Sequence, residues 1–428
     1  MKRKANSITL SLLMTGVLFT GIAAAQNTIK VGVLHSLSGT MAISETTLKD
    51  TVLMMIDAQN KKGGLLGKKL EAVVVDPASN WPLFAEKAAQ LLEKDKVAVV
   101  FGCWTSVSRK SVLPVFEKDN GLLFYPVQYE GEESSKNVIY TGAAPNQQAI
   151  PAVDYLMKEV GVKRWVLEGT DYVYPRTTNK ILEAYLLSKG VKAEDISINY
   201  TPFGHSDWQT RVAAIKKFGS AGKKTAVVST INGDANVPFY KELGNQKISA
   251  EQIPVVAFSV GEEELSGLDT KPLLGHLAAW NYFESISTPA NKAFIDQWHT
   301  FIKKPKRTTN DPMEAHYIGF NLWVKAVEKA KSTDVEKVLA ALPGTETPNL
   351  TGGIAKVLPN HHITKPVYIG EVKADGQFNV VWKSAGTVPG DAWSDFLPGS
   401  KNLEADWVTL KCGNYNKVTK KCSGQNYK

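Results

Sequence analysis

The stretch VAVVFGCWTSVSRKSVLPVF, residues 97–116, decides the fold, because an apolar β-branched run passes directly into a helical pattern that begins near Ser106. A strand that runs into a helix places the unpaired N–H groups of the helix N-terminus at a sheet edge. Trp104 and Ser106 supply a large ring and a hydroxyl there, without an acid, a thiol pair or a phosphate-binding glycine loop. This stretch favours a site for a small neutral ligand that carries a carbonyl oxygen.

The alternation of strand and helix patterns extends along most of the chain. Strand patterns lie at 29–34, 70–75, 97–100 and 122–125, with helical patterns at 46–60, 81–92 and from 106. A second series has strand patterns at 165–167, 196–200, 226–229, 255–258 and 276–279. Strict alternation predicts parallel sheets. We therefore expect an α/β protein with two similar, doubly wound lobes.

Helices at 289–302 and 313–331 and a late strand at 366–372 follow the second series, so we expect the chain to cross back between the lobes. The predicted boundaries are 26–145 plus 283–355 for the first lobe, 146–282 plus 356–390 for the second, and 391–428 for a surface-wrapping C-terminal tail.

The N-terminus has the pattern of a secretory signal peptide. Three basic residues at 2–4 precede an apolar run at 8–24 that closes on Ala23-Ala24-Ala25. The run is interrupted by polar and glycine residues, and it is short for a membrane span of about 20 apolar residues. We expect cleavage after residue 25 and a periplasmic protein.

The charge distribution and the cysteines indicate which macromolecules the protein binds and whether its thiols are oxidised. The formal charge of +8 is scattered over amphipathic helices, whereas nucleic-acid binding expects clustered Lys/Arg with interleaved aromatic residues, so we expect no nucleic acid. An exported chain favours a disulfide between Cys412 and Cys422 in the tail. Cys103 is then a lone thiol, packed as a small hydrophobe.

Enzyme signatures are incomplete. The Gly63–Lys68 segment departs from a phosphate-loop spacing, and no Gly-x-Gly-x-x-Gly follows the first strand. The seven histidines lack metal-ligand spacing, and there is no Gly-x-Ser-x-Gly elbow. We predict no catalytic residue, no metal and no cofactor.

Aromatic and polar residues instead follow the strand patterns of both series. Ligands of open parallel sheets bind beyond the carboxyl ends of the strands. The candidate residues at these ends are Trp104, Ser106, Tyr125, Gln128, Tyr129, Tyr172, Tyr174, Asn232 and Asp234. They predict a shared cleft between the lobes.

At these residues the chain resembles the type I periplasmic binding proteins, and within them the amide- and urea-binding branch. The matching stretches are 101–109, 125–131, 140–147, 171–176, 231–234, 279–282 and 309–315. The resemblance implies a hinge of three crossovers, closure on a ligand, urea or a short amide as that ligand, and the membrane permease of an ABC importer as partner.

The related aliphatic-amide sensor matches Ser106, Tyr125 and Tyr172 at positions that hold the amide, and it departs at Trp104 and at Val127-Gln128. Urea needs one or two donors for its carbonyl and several acceptors for its N–H groups. We expect Ser106 and backbone N–H groups to serve the carbonyl.

We expect tyrosine hydroxyls, backbone carbonyls and a carboxylate from Asp234 or Glu263 to accept from the amides. The alternatives are a branched-chain or other amino-acid-binding protein of the same fold and a ligand-sensing regulatory protein. The sequence leaves the oligomeric state open.

Overall fold

The computed structural model describes residues 28–423, which form two α/β lobes joined by three crossovers and followed by a tail. The predicted signal peptide lies outside the described residues. Within residues 28–423, no helix combines the length and apolar character that a bilayer span needs. The predicted fold class, two doubly wound lobes with mostly parallel sheets, is confirmed.

The first lobe begins as predicted with alternating strands and helices. Its elements are β1 (Ile29–Leu34), α1 (Ala42–Lys61), β2 (Leu70–Val75), α2 (Trp81–Ala89), β3 (Val99–Gly102), α3 (Ser106–Lys118), β4 (Leu123–Tyr125) and β5 (Val138–Tyr140). The five strands are parallel in the order β2-β1-β3-β4-β5.

The third strand lies later than its apolar run predicts, because Phe101 and Gly102 pair with β1. A Cβ at Gly102 would lie 2.5 Å from the Leu34 carbonyl oxygen, so this close approach requires glycine.

The second lobe repeats the pattern. Its first elements are α4 (Ala149–Lys158), β6 (Arg164–Thr170), α5 (Val173–Ser188), β7 (Ile196–Thr201), α6 (Gln209–Gly219), β8 (Thr225–Thr230), α7 (Asn236–Asn245), β9 (Val255–Ala257), α8 (Glu262–Leu265) and β10 (Leu277–Trp280). Successive residues of a strand face opposite sides of its sheet, so Val227 packs in one core and Val228 in the other. This sheet is therefore covered on both faces.

The chain then returns to the first lobe through α9 (Pro289–Ile302), α10 (Asp311–Ala330) and α11 (Val335–Ala341), whose Trp298 and Trp323 are buried in the first-lobe core. The strands that follow are β11 (Glu346–Pro348), β12 (Ile354–Lys356), β13 (Thr364–Lys365), β14 (Tyr368–Val372), β15 (Phe378–Lys383) and β16 (Val388–Pro389).

The third crossover comes later than the predicted boundary at residue 356. Val357 and Ile363 still pack in the first-lobe core. The antiparallel pair β14 and β15 extends the second sheet, whose order is β15-β14-β10-β9-β8-β6-β7.

Asn281 lies on one crossover and forms hydrogen bonds to the other two. Its Nδ2 donates to the Gln147 carbonyl at 3.0 Å and to the Pro366 carbonyl at 2.6 Å. The buried Lys365 donates to the Thr141 carbonyl at 3.1 Å. These bonds satisfy backbone groups where regular structure stops.

The tail forms a three-stranded sheet of β17 (Leu403–Asp406), β18 (Cys412–Asn416) and β19 (Lys421–Cys422). The predicted disulfide between Cys412 and Cys422 is present. Trp407 donates its backbone N–H to the Pro359 carbonyl at 2.8 Å, which attaches the tail to the main body.

His276 is a buried neutral histidine just before β10. Its Nδ1 accepts from the Val255 N–H at 3.1 Å, while Nε2 lies 3.4 Å from the Ile248 carbonyl. Burial lowers the pKa of His276 to about 4. Protonating Nδ1 would aim two donors at each other, so the folded state disfavours the cation.

The unfolded chain therefore takes up a proton at His276 near its ordinary pKa of about 6.5, before the folded protein does. We expect its stability contribution to be present above that pH and to be lost as the pH falls toward 4, by up to about 3 kcal/mol. His276→Asn keeps an acceptor but removes the titration, so its thermal midpoint should fall less than that of the wild type between pH 7 and pH 4.5. His299→Asn, on α9, is the control.

Candidate ligand-binding site

The turn after β3 aims the N-terminus of α3 into the space between the lobes. Cys103 has a φ of +67° and donates its N–H to the Leu34 carbonyl at 2.9 Å, which redirects the chain. Thr105 then caps α3, its side chain accepting from the Ser108 N–H at 3.1 Å. The free Cys103 is buried, and burial raises the pKa of its thiol, so it packs as predicted rather than offering a thiolate.

Arg109, on α3 one turn after Ser106, is completely buried. Its Nε donates to Glu133 Oε1 at 2.7 Å and its Nη2 to Glu130 Oε1 at 3.2 Å. The rings of Tyr125 and Tyr129 lie against its guanidinium at 4.8 and 4.7 Å. Burial lowers the pKa of Arg109, but Glu133 and Glu130 raise it well above its ordinary value, so the guanidinium is charged.

Lys110 completes this charge cluster, which we define as Arg109, Lys110, Glu130 and Glu133. Its Nζ lies 2.7 Å from Glu133 Oε2 and 3.8 Å from Glu130 Oε1. Burial raises the pKa of Glu133, but Arg109 and Lys110 outweigh burial and lower it to about 2. Two cations thus face two carboxylates, and the cluster carries no net formal charge.

Ser106 connects the charge cluster to the cleft. Its hydroxyl donates to Glu130 Oε2 and accepts from Arg109 Nη1, the latter at 3.0 Å. The hydroxyl proton is therefore used inside the protein, and one lone pair remains. The expected donor role of Ser106 toward a carbonyl is not the arrangement in the structure, which instead leaves Ser106 an acceptor for an N–H group.

Tyr125 has the same polarity. Its hydroxyl donates to the Trp104 carbonyl, so it too has only lone pairs left to offer. Tyr129 lies behind it, with its hydroxyl bonded to the Glu133 carbonyl at 3.2 Å and to His362, and its ring stacked on Tyr140 at 4.9 Å.

Hydrogen bonds join the two lobes across the cleft. Gln128 Nε2 donates to Ser259 Oγ at 2.6 Å, and Trp104 Nε1 donates to Asn232 Oδ1 at 3.3 Å. Nearby, Ser44 Oγ donates to Glu264 Oε1 at 2.7 Å. The structure is therefore the closed form of the cleft.

Two polar atoms in this closed cleft make no hydrogen bond of normal geometry with the described residues. They are Gln128 Oε1 and the Tyr174 hydroxyl, and both are buried. Burial raises the pKa of Tyr174, while hydrogen-bonding interactions of its hydroxyl with Gln128 and Ser259 oppose that rise, so these three side chains form one polar group. A buried polar group without a partner costs about 1–3 kcal/mol, so both atoms favour a polar ligand.

The second lobe contributes an aromatic wall. The rings of Tyr172 and Tyr174 lie 6.1 Å apart, and Tyr172 lies 4.8 Å from Phe203. Phe203 in turn contacts Trp81 of the first lobe at 5.3 Å. Burial raises the pKa of Tyr172, and the nearby Tyr174 and Tyr125 raise it further.

The two carboxylates chosen from the sequence do not join this arrangement. Asp234 is exposed, and its backbone N–H donates to the Thr40 carbonyl at 3.2 Å. Glu263 is paired with Arg307 at 3.1 Å. The acid that the structure brings to Ser106 is Glu130.

Sequence reasoning missed Arg109, Glu130 and Ser259 as site residues. The signal for Arg109 was available: it stands three residues after Ser106, so both lie on one face of α3. Ser259 had no such signal, because its partner Gln128 lies in the other lobe. Among the described residues no group of three His, Cys, Asp or Glu side chains could hold a metal ion.

The periplasmic binding protein domain family matches residues 29–399. The chain belongs to this family. The Leu/Ile/Val-binding protein BraC3 of Rhizobium johnstonii is 26% identical over 80% of this chain and 90% of that protein. A leucine-, isoleucine-, valine-, threonine- and alanine-binding protein of Pseudomonas aeruginosa is 25% identical over 81% and 91%. The chain is a periplasmic-type solute-binding protein.

A limonene hydroxylase of Geobacillus stearothermophilus is 29% identical over 143 residues. That alignment covers 33% of this chain and only 26% of the hydroxylase. Among solved structures, a periplasmic binding protein from Burkholderia mallei has a TM-score of 0.73 at 17% identity, covering 85% of this chain and 96% of its own. A solute-binding protein from Rhodopseudomonas palustris, in complex with p-hydroxybenzoic acid, has a TM-score of 0.72 at 22% identity, covering 85% and 98%. These structures share the fold.

Arg109→Met tests the charge cluster of this periplasmic binding protein. It leaves Glu130 and Glu133 buried without their main cation, which we expect to cost about 3–5 kcal/mol of unfolding free energy. Arg176→Met removes an exposed pair with Asp171 at 2.6 Å and should cost much less, because solvent screens that pair. Guanidinium chloride unfolding measures both, and equal losses would contradict the structural role of Arg109.

Proposed function

We propose that this protein binds urea or a short-chain amide in its cleft, in the periplasm, and delivers it to the membrane permease of an ABC transporter. The observation that carries the proposal is the pair of buried atoms without a hydrogen bond of normal geometry, Gln128 Oε1 and the Tyr174 hydroxyl. An amide oxygen can only accept a hydrogen bond, so a ligand that pairs with Gln128 Oε1 must be a donor. Urea supplies four N–H donors and one carbonyl, and a primary amide supplies two and one.

The polarity of the other cleft residues supports an N–H-rich ligand. Ser106 and Tyr125 have both given their protons to protein acceptors, so toward a ligand each hydroxyl can act only as an acceptor. The backbone N–H groups at the N-terminus of α3 remain suited to a carbonyl oxygen. The N–H groups of the helix N-terminus thus suit the carbonyl oxygen of an amide, and the side-chain acceptors suit its N–H groups.

The charge cluster supports a neutral ligand. Arg109 and Lys110 are already paired with Glu130 and Glu133. A ligand carboxylate therefore finds no free cation in this cluster and would depend on neutral donors, such as the N–H groups at the N-terminus of α3.

The size of the ligand is limited by aromatic side chains. Trp104, Tyr125 and Tyr174 are at most 2% exposed, and they occupy volume that a longer aliphatic side chain would need. Interiors are close-packed, so small ligands fit such a cleft without displacing rings.

The second candidate ligand class is the branched-chain amino acids, because the Rhizobium and Pseudomonas relatives are named for binding them. A zwitterion needs donors for its carboxylate, either a cation or neutral N–H and O–H groups, and acceptors for its ammonium. The paired state of Arg109 and Lys110 favours the neutral amide over the zwitterion.

Calorimetric titration separates the two classes. Protein purified from the periplasm is unfolded and refolded to remove carried ligand, then titrated with urea, acetamide and leucine. We expect binding of urea or acetamide and no response to leucine. Binding of leucine without a response to either amide would assign the protein to amino-acid uptake.

Tyr174→Phe should affect urea binding and the stability of the ligand-free protein differently. Removing a buried hydroxyl that makes no hydrogen bond of normal geometry should change the stability of the ligand-free protein little. Urea binding should weaken by about 1–3 kcal/mol, because the variant lacks the hydroxyl that would form a hydrogen bond with urea. Tyr317→Phe, on α10 against Phe294, is the matched control. An unchanged urea dissociation constant in Tyr174→Phe removes this hydroxyl from the site.

Tyr172→Phe applies the same reasoning to the other second-lobe tyrosine. If its hydroxyl accepts an amide N–H, urea binding weakens by about 1–3 kcal/mol in calorimetry. A wild-type affinity would show that only the Tyr172 ring contributes, through packing.

A further inference from the structure

We infer that Glu130 sets the charge selectivity of the cleft, because it places the protein's own carboxylate on the donors that a ligand carboxylate would otherwise use. The inference rests on the proposed function for its neutral ligand, but its central test uses an anion. It predicts that a single neutralising substitution converts a site for amides into a site for small carboxylates.

Glu130 lies on a segment after β4, and its side chain is 1% exposed. One carboxylate oxygen accepts the Ser106 hydroxyl proton, and the other accepts from Arg109 Nη2 at 3.2 Å. A hydroxyl at a helix N-terminus and an arginine fork are the donors that protein sites use for carboxylates. Both are occupied from within the chain.

The partners of Glu130 cannot easily turn to another anion. Arg109 is fixed by its second carboxylate, Glu133, and by the rings of Tyr125 and Tyr129. Ser106 has a single proton, which Glu130 holds. An incoming carboxylate would therefore meet Glu130 at close range in a medium of low dielectric constant, where like charges repel strongly.

A neutral amide meets none of this repulsion. Its N–H groups can instead donate to the remaining lone pairs of Ser106 and Glu130. Acetamide and acetate have nearly the same shape, so their difference in affinity reports the charge selectivity alone.

Glu130→Gln is the decisive variant, and Glu133→Gln is its matched control. Both change the charge cluster by one unit, but Glu133 contacts Arg109 Nε, Lys110 and Tyr140 rather than Ser106. Each protein is titrated calorimetrically with acetamide and with sodium acetate at pH 7 and constant ionic strength, after circular dichroism has verified folding.

We expect the ratio of the acetate to the acetamide dissociation constant to fall at least about tenfold in Glu130→Gln, and several-fold less in Glu133→Gln. An unchanged ratio in a folded Glu130→Gln protein, or an equal fall in both variants, would overturn the inference. If Glu130→Gln does not fold, Glu130→Asp keeps the charge and must still exclude acetate; acetate binding there would also overturn it.

The proposed function and this inference can fail separately. If the wild type binds neither urea nor acetamide, the proposed ligand class is wrong. The gain of acetate affinity in Glu130→Gln over the wild type then tests Glu130 by itself, and the absence of that gain rejects the role assigned to it.

Discussion

The buried guanidinium of Arg109 is the constraint on which the cleft depends. A charge taken out of water is tolerated only with close partners, and here those partners are Glu130, Glu133 and two tyrosine rings. The guanidinium in turn fixes the position of each of these partners. The direction of the Ser106 hydroxyl proton follows from that arrangement, and Tyr125 packs its ring on the guanidinium while its hydroxyl donates to the Trp104 carbonyl.

Closure of the lobes adds the second half of the site. Gln128 reaches Ser259, and Trp104 reaches Asn232, only because the two sheets present their carboxyl ends to the same space. The same closure buries Gln128 Oε1 and the Tyr174 hydroxyl without a hydrogen bond of normal geometry. A cleft that closes on unpaired polar atoms gains free energy when a ligand pairs them, which is how binding can favour the closed form.

The fold was largely predictable from the sequence. The pattern at 97–116 and its repeats predicted parallel sheets, and the helices after β10 predicted a return to the first lobe. The errors occurred where pairing overrides local pattern, as in β3, which Gly102 lets approach β1. At the site, the residues predicted to share a cleft were Trp104, Ser106, Tyr125, Gln128, Tyr129, Tyr172, Tyr174 and Asn232. Trp104 bonds to Asn232 across the lobes, Gln128 bonds to the second lobe, Tyr172 lies beside Tyr174, and Tyr129 lies behind Tyr125. Asp234 and Glu263 were acids chosen by position along the chain, and the structure places them elsewhere.

The sequence by itself determined the class of fold, the two lobes and the strand ends that carry the cleft, because hydrophobic periodicity and strand–helix alternation are local properties of the chain. Only the tertiary structure decided which carboxylate meets Ser106, which way the hydroxyl protons point and which buried atoms lack a hydrogen bond of normal geometry. Those outcomes depend on contacts between residues far apart in sequence, such as Gln128 with Ser259, and on the balance of charge in a buried cluster. No pattern along a single strand or helix encodes them.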